Sequence, residues 1–198
     1  MAVVAPDLPS APDPQRPRVF GIGLNKTATT TLAQALTILG FDVLHWGGAE
    51  VHEAVLAAVE AGEPLVSRLD PRHDAFFDIG VLSRRFVLLD EQYPGSRFLL
   101  TVRPVEDWLD SRRRHVRTNQ ARKAAGEYDG TFLEIDEPKW RAEWELHLQR
   151  VHDYFGARAD LLELDVTADP TWGRLCRFLD RPEPDVPFPW LNRGDEAG

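Results

Sequence analysis

The sequence predicts an α/β domain in three layers, with a mostly parallel central sheet flanked by helices. Short apolar runs that are typical of buried strands alternate with segments whose apolar residues recur at helical spacing. The first of these runs leads through a glycine- and threonine-rich loop straight into a helix. With 198 residues, 43% of them hydrophobic, the chain is long enough to bury one self-supporting core.

The ends of the chain differ in composition from its middle. Residues 1–17 are rich in Pro, Ala and Asp without periodicity, which predicts a disordered tail, followed by a domain over 18–192 and a short tail over 193–198. No apolar run approaches the ~20 residues of a membrane span, and prolines interrupt the first segment where a secretory signal would be apolar. We therefore expect a cytoplasmic protein with no membrane partner.

The charge and cysteine content exclude several classes of function. A net charge of −9 argues against a nucleic-acid partner. The lone Cys176 excludes an internal disulfide framework and a multi-cysteine metal site, and we interpret it as a small buried residue. Between Arg97 and Lys123, however, basic residues outnumber acidic ones, which indicates either a small polyanionic ligand or a solvated helix face.

The first half of the chain contains three predicted strands and two helices. "RVFGIGL" (18–24) predicts the first strand, "FDVLHW" (41–46) the second and "PLVSRL" (64–69) the third. Apolar residues at helical spacing predict helices over 29–40, ended by a glycine, and over 49–61.

The segment "VLSRRFVLLDEQYPG" (81–95) resembles the acidic strand end that holds magnesium in nucleotide hydrolases. A strand here would leave only residues 91–96 before the next strand, "RFLLTV" (97–102), which is too short for a parallel crossover. We therefore predict a helix. The later elements are a helix from Pro104, an irregular loop or lid over 118–136, a helix over 138–155, a strand "LLELDV" and a short helix "TWGRLCRFL".

The loop in "GIGLNKTATTT" (21–31) has the features of an oxyanion site. Backbone N–H groups and the helix dipole favour an anion there, and Lys26 can reach its oxygens. Further donors are the hydroxyls of Thr27, Thr29, Thr30 and Thr31. The pattern G-x-x-x-x-G-K-[ST] of nucleotide hydrolases fails at both glycines, where Phe20 and Asn25 stand. A threonine-rich helix start with a surface lysine is the alternative interpretation.

A second candidate stretch is "TVRPVEDWLDSRRRH" (101–115). Arg103 lies at the carboxyl end of a predicted strand, where open α/β sheets bind ligands, and Ser111 lies in the following helix. The arginine fork suits a phosphate monoester, and the serine adds a hydroxyl. A surface ion pair and an exposed helix residue are the alternatives.

Together the two stretches resemble the PAPS-dependent sulfotransferases, including bacterial P-loop members. In that family a K-[ST]-G-T-T-type loop binds the 5′-phosphosulfate of 3′-phosphoadenosine 5′-phosphosulfate (PAPS), and an Arg followed eight residues later by a Ser binds the 3′-phosphate. The resemblance covers roughly residues 19–192, including "ELHLQRVHDYF" and "FPWLN". It implies a P-loop-type fold and these donor-binding residues: Asn25, Lys26, Thr27, Ala28, Thr29, Thr30, Thr31, Arg103 and Ser111.

The reaction that the resemblance implies moves SO₃ from PAPS to a hydroxyl or amine of a small-molecule acceptor. Adenosine 3′,5′-bisphosphate (PAP) is the product. A sulfuryl group carries less charge than a terminal phosphoryl, so lysine and backbone donors can suffice and no metal is expected. The alternatives are a P-loop kinase or NTPase and a non-catalytic nucleotide-binding scaffold. The acceptor is not predicted, and a homodimer stays open.

The general base is predicted from position. In the cytosolic relatives a catalytic His in an H-x-P setting lies upstream of the second motif's strand, and Asp78-Ile79-Gly80 falls at a similar place here. The predicted catalytic residues are Lys26, Asp78 and, as an alternative base, His45. His73 is a further alternative, and a structural or surface role is the other interpretation of both histidines.

Two departures from the family pattern affect the site. Ala28 replaces the usual loop glycine, which requires a backbone conformation that alanine can adopt. A glycine-rich basic segment near the C-terminus is absent, which leaves Arg112, Arg113 and Arg193 as candidates to complete the 3′-phosphate site. An acceptor pocket or the core would contain the aromatic residues Trp46, Phe76, Phe77, Trp108, Trp140 and Trp144.

Overall fold

The centre of the fold is a parallel sheet, seen in a computed structural model that describes residues 17–191. Its strands are β1 (Val19–Gly21), β2 (Val43–His45), β3 (Ala75–Phe77), β4 (Arg97–Thr101) and β5 (Leu161–Leu164). They are hydrogen-bonded in the order β2-β3-β1-β4-β5, and every neighbouring pair is parallel. The predicted α/β fold class is confirmed.

Helices cover both faces of the sheet. They are α1 (Thr29–Ile38), α2 (Gly48–Ala61), α3 (Gly80–Ser83), α4 (Phe86–Gln92), α5 (Val105–Ala124), α6 (Glu137–Phe155) and α7 (Trp172–Leu179). None of these helices is long and apolar enough to cross a bilayer.

Alternation along the strands divides the core into two layers. Phe20, Phe76 and Phe98 pack on one face with residues of α2, α4 and α6. Val19 and Leu99, one position along, pack on the other face with residues of α1 and α7. Because both faces of a parallel strand are covered, the strands are apolar at successive positions. Cys176 is buried in the α7 layer, as predicted.

The predicted third strand is wrong. Residues 64–69 form turns, and the third strand is β3, inside a segment that the sequence analysis left irregular. Leu65 and Val66 are buried, but their N–H groups donate to the Gln92 side chain and the Tyr93 hydroxyl. These contacts satisfy the backbone without a sheet partner, so the apolar pattern reflects burial alone.

Two predictions for the second half of the chain differ in outcome. The helical interpretation of 81–95 is confirmed by α3 and α4, and Asp90 pairs there with Arg158. The irregular segment is shorter than predicted, because α5 continues to Ala124 and only 125–136 lack regular structure. Basic residues in the last turn of α5 favour that extension through the helix dipole. Arg193 and most of both predicted tails lie outside the described residues.

Candidate active site

Three neighbouring strands bring the predicted catalytic residues to one edge of the sheet. Lys26 lies in the loop after β1, His45 ends β2 and Asp78 follows β3. Because β2, β3 and β1 are adjacent and parallel, their carboxyl ends meet at the same edge. All three residues line a single cavity of about 580 Å³.

The loop between β1 and α1 has the backbone of an anion site. Lys26 (φ 69°) and Ala28 (φ 63°) are left-handed, whereas Thr27 between them is not. Such alternation can turn successive N–H groups towards one concave side, next to the positive end of the helix that begins at Thr29. Within residues 17–191, the N–H groups of Asn25, Lys26 and Ala28 donate to no protein acceptor. The loop therefore fits an oxyanion.

Ala28 adopts the conformation that the glycine of related loops allows. It precedes α1 with φ 63° and ψ 29°, in the left-handed region. An L-residue can occupy this region at a cost of roughly 1–2 kcal/mol, which glycine does not incur. The substitution is therefore tolerated, with some backbone strain at the anion site.

Two of the four threonine hydroxyls hold the loop to the rest of the protein. The buried Thr27 hydroxyl donates to the Leu24 carbonyl (2.6 Å) and shares a second hydrogen bond with the Thr101 hydroxyl (2.6 Å). The Thr31 hydroxyl contacts the backbone of Leu191. The hydroxyls of Thr29 and Thr30 have no hydrogen-bond partner among the described residues. They are therefore still candidates to donate hydrogen bonds to a bound oxyanion.

Lys26 is one of the cations that line the cavity. Burial lowers the pKa of its ammonium, and the charge of Asp78 opposes that shift. The positive charges of Arg114 and Arg103 lower the pKa further. A lysine that is partly desolvated and surrounded by other cations is stabilised by an arriving anion.

Asp78 is a carboxylate whose protonation changes near neutral pH. Burial raises its pKa from 3.8 to about 6, and the charge of Lys26 moderates the shift. The residue has a left-handed backbone (φ 57°) at the turn after β3, where sparsely populated conformations often mark functional sites. Its Oδ2 lies 3.9 Å from Nε2 of His45, whose pKa burial lowers.

His73 lies away from this site. It precedes β3, at the amino end of the strands, and its Nδ1 contacts the carboxylate of Asp42, which precedes β2. The cavity lies at the opposite edge and His73 is not among its lining residues. The structure thus separates His73 from the other two candidate bases.

Arg103 contacts the loop from outside the cavity lining, whereas Ser111 makes no hydrogen bond to the loop within residues 17–191. Arg103 follows β4, and its Nη1 donates to the backbone carbonyl of Lys26 (3.2 Å). It forms no ion pair with residues 17–191. Ser111 lies seven residues after Pro104, the residue that precedes α5. This spacing is about two turns, so Ser111 lies on the same side of the helix as Pro104. A half-buried, uncompensated guanidinium next to the loop is suited to a second anionic group.

The predicted aromatic residues divide between core and cavity. Trp46 is 64% exposed and lines the cavity, whereas the other five are buried in the core: Phe76, Phe77, Trp108, Trp140 and Trp144. Arg113 pairs with Asp110 and Glu137 on the helix surface, and Arg112 is buried against aromatic rings.

Sequence reasoning missed one wall of the cavity. This wall is formed by α5 and the loop behind it, and of its residues only Arg112 was a candidate from the sequence; the others are His115, Asn119, Arg122, Tyr128 and Phe132. The four residues on α5 recur at spacings of three and four, which is a helical face. This signal was present in the sequence but was hidden because the segment from 118 onward was predicted to be irregular.

Of three comparisons with known proteins, one shows the family and one shows the fold. A family model described as a sulfotransferase domain matches residues 18–132 and 118–197. A search of curated proteins finds no match. Among solved structures, the chain is similar to the crystal structure of a sulfotransferase from Alicyclobacillus acidocaldarius, with a TM-score of 0.55 and 18% identity over 87% of this chain and 84% of that one. At that identity the likeness shows a shared fold.

Proposed function

The chain belongs to the sulfotransferase domain family, and from that premise we propose that PAPS is its sulfuryl donor and a small-molecule hydroxyl or amine its acceptor. The observation that carries the proposal is the meeting of Lys26 and Asp78 in one cavity. One residue belongs to a loop shaped for an oxyanion, and the other is a carboxylate with a pKa of about 6. Sulfuryl transfer to a hydroxyl is served by both, since the loop can hold the donor and the carboxylate can accept the proton of the hydroxyl.

The loop suits the 5′ end of the donor. Free N–H groups at Lys26 and Ala28, the start of α1 and the lysine ammonium would together hold the phosphosulfate oxygens. Arg103, with Ser111 on the helix after it, would hold the 3′-phosphate. The two anionic ends of one nucleotide would then lie on two sides of the same loop.

The acceptor oxygen would attack sulfur from the cavity side. A bond forms between that oxygen and sulfur, while the bond between sulfur and the bridging phosphate oxygen breaks. The ammonium of Lys26 stabilises the charge that develops on the leaving phosphate, which is released as PAP. The acceptor proton passes to the carboxylate of Asp78, which is ionised above its pKa of about 6.

His45 is the alternative base within the same cavity. Its pKa is lowered by burial, so the imidazole is neutral and able to accept a proton at neutral pH. We assign the proton transfer to Asp78, which directly follows β3. Its charge interacts with that of Lys26, the residue that would hold the donor, and its pKa of about 6 lies just below neutral pH.

The donor class is tested by a thermal-shift panel of PAP, PAPS, 5′-AMP, ADP and ATP, each with and without magnesium. A ligand that binds only the folded state raises the temperature at which the protein unfolds. We expect the largest shifts with PAP and PAPS and no effect of magnesium. A magnesium-dependent shift with ATP, and none with PAP, would instead identify a kinase or NTPase.

A further inference from the structure

The residue that replaces the nucleotide-hydrolase glycine is hydrogen-bonded to α5 through two of its atoms. The carbonyl oxygen of Asn25 accepts from Nε1 of Trp108 (2.8 Å). Its Oδ1 accepts from Nη1 of Arg112 (3.2 Å). Trp108 and Arg112 are four residues apart and so lie on one face of the helix. A glycine at position 25 could not make the second contact.

Arg112 is itself held in place from several sides. It is only 7% exposed, and its guanidinium lies 4.7 Å from the ring centres of Trp108 and Trp140 and 4.9 Å from that of Phe132. Glu143 of α6 supplies the compensating charge at 3.5 Å. A buried, stacked and ion-paired guanidinium has little freedom to follow a substrate, so it acts as a fixed support.

The carboxylate of Glu143 also connects Arg112 to the turn that contains Asp78. Glu143 also pairs with Arg84, whose Nη1 donates to the carbonyl of Gly80 (3.1 Å), two residues after Asp78. A continuous set of contacts thus runs from Asn25, next to Lys26, through α5, α6 and Arg84 to the backbone of Gly80, two residues after Asp78.

We propose that Arg112 is a positioning residue that acts through Asn25 to fix the donor loop relative to Asp78. This inference rests on the proposed function, since it assumes that the loop holds the 5′-phosphate of the donor. A loop that is already held in place loses less conformational entropy when the nucleotide binds. A misplacement of the donor by about 1 Å can slow transfer steeply.

The test is calorimetric titration of PAP into wild type, Arg112→Gln, Asn25→Ala and the double variant, with unfolding midpoints measured alongside. Each single variant should bind PAP about tenfold more weakly, a size typical of coupled contacts, and the double variant no more weakly than the worse single one. Asn25→Ala should keep the unfolding midpoint of wild type, so that its weaker PAP binding can be assigned to the position of the loop and not to a loss of stability. Arg117→Gln is the matched control, because Arg117 is an exposed arginine of α5 that does not line the cavity.

The outcomes distinguish failure of the positioning role of Arg112 from failure of the proposed function. If wild type binds PAP and Asn25→Ala binds it equally well, the inference is overturned and the proposed function stands. Additive losses in the double variant also overturn it, since independent effects would show that Arg112 does not act through Asn25. If wild type binds no PAP at all, the proposed function fails, and the inference with it.

Discussion

Nε2 of His45 lies 3.9 Å from Oδ2 of Asp78, at the ends of two hydrogen-bonded strands. Burial has opposite effects on the two groups, since it lowers the pKa of the imidazole and raises that of the carboxyl to about 6. Near neutral pH the pair is a neutral ring beside a carboxylate. Two proton acceptors therefore line one cavity, and substituting each in turn can show which of them accepts the proton of the acceptor.

Asp78→Asn should remove most transfer to a hydroxyl acceptor while PAP affinity stays within about twofold of wild type, because an amide accepts no proton. In wild type, the rate should rise with pH through about 6, as the carboxylate ionises, and then level off. Turnover as a function of pH and calorimetry with PAP measure the two effects. If Asp78→Asn keeps full turnover while His45→Ala abolishes it with PAP binding intact, the base is His45.

The same substitution should stabilise the fold above pH 6. Because the folded-state pKa of Asp78 is raised, the folded protein binds more protons than the unfolded chain between pH 3.8 and about 6, and stability falls across that window as pH rises. Asn removes this loss, which amounts to at most about 3 kcal/mol. Urea unfolding should show a gain for Asp78→Asn at pH 7.5 and little gain at pH 4, whereas equal effects at both pH values would contradict the raised pKa.

Lys26→Met should lower turnover by roughly a hundredfold or more, because the ammonium stabilises charge on the leaving phosphate. Methionine keeps the aliphatic length of the side chain, so circular dichroism should show an intact fold. Near-normal sulfuryl transfer by this folded variant would remove Lys26 from the mechanism.

Arg103→Lys should weaken PAP binding by on the order of 1.5–3 kcal/mol, because a lysine cannot make the bidentate contact of a guanidinium with phosphate. Binding of 5′-AMP, which lacks the 3′-phosphate, should change much less. Ser111→Ala should weaken PAP binding in the same direction by a smaller amount. Equal losses for PAP and 5′-AMP would show that Arg103 acts only through its hydrogen bond to the Lys26 carbonyl.

Ala28→Gly should raise the free energy of unfolding by about 1 kcal/mol, because glycine adopts the left-handed conformation of this position without strain. Chemical denaturation measures the change. Gly23→Ala provides a contrast, since a Cβ there would lie 2.0 Å from the Thr101 hydroxyl oxygen and should destabilise the protein. A loss of stability in Ala28→Gly would contradict the strain assigned to Ala28.

The sequence predicted the fold class and most elements because burial leaves a periodic pattern along the chain. It failed for β3, where three apolar residues stand between turn residues, and for 64–69, where burial occurs in turns. The side chains of Gln92 and Tyr93 satisfy those turns from far along the chain. Contacts of this kind are set by the tertiary structure and have no local signal.

The candidate site was predictable to a similar extent. Lys26 and Asp78 follow strands and His45 ends one, but their convergence depends on the order β2-β3-β1, which no local pattern shows. The support given by Arg112 was unpredictable for another reason. A charged residue is expected to be exposed, and only the surrounding rings and Glu143 explain its burial.

Sulfuryl transfer is tested most directly by following a radiolabelled sulfuryl group from PAPS into a small-molecule extract, with EDTA present. We predict labelled products and an equal amount of PAP with wild-type protein, and far less of both with Lys26→Met or Asp78→Asn. Wild-type protein that binds PAP tightly but labels nothing in the extract would contradict catalysis and leave a nucleotide-binding scaffold.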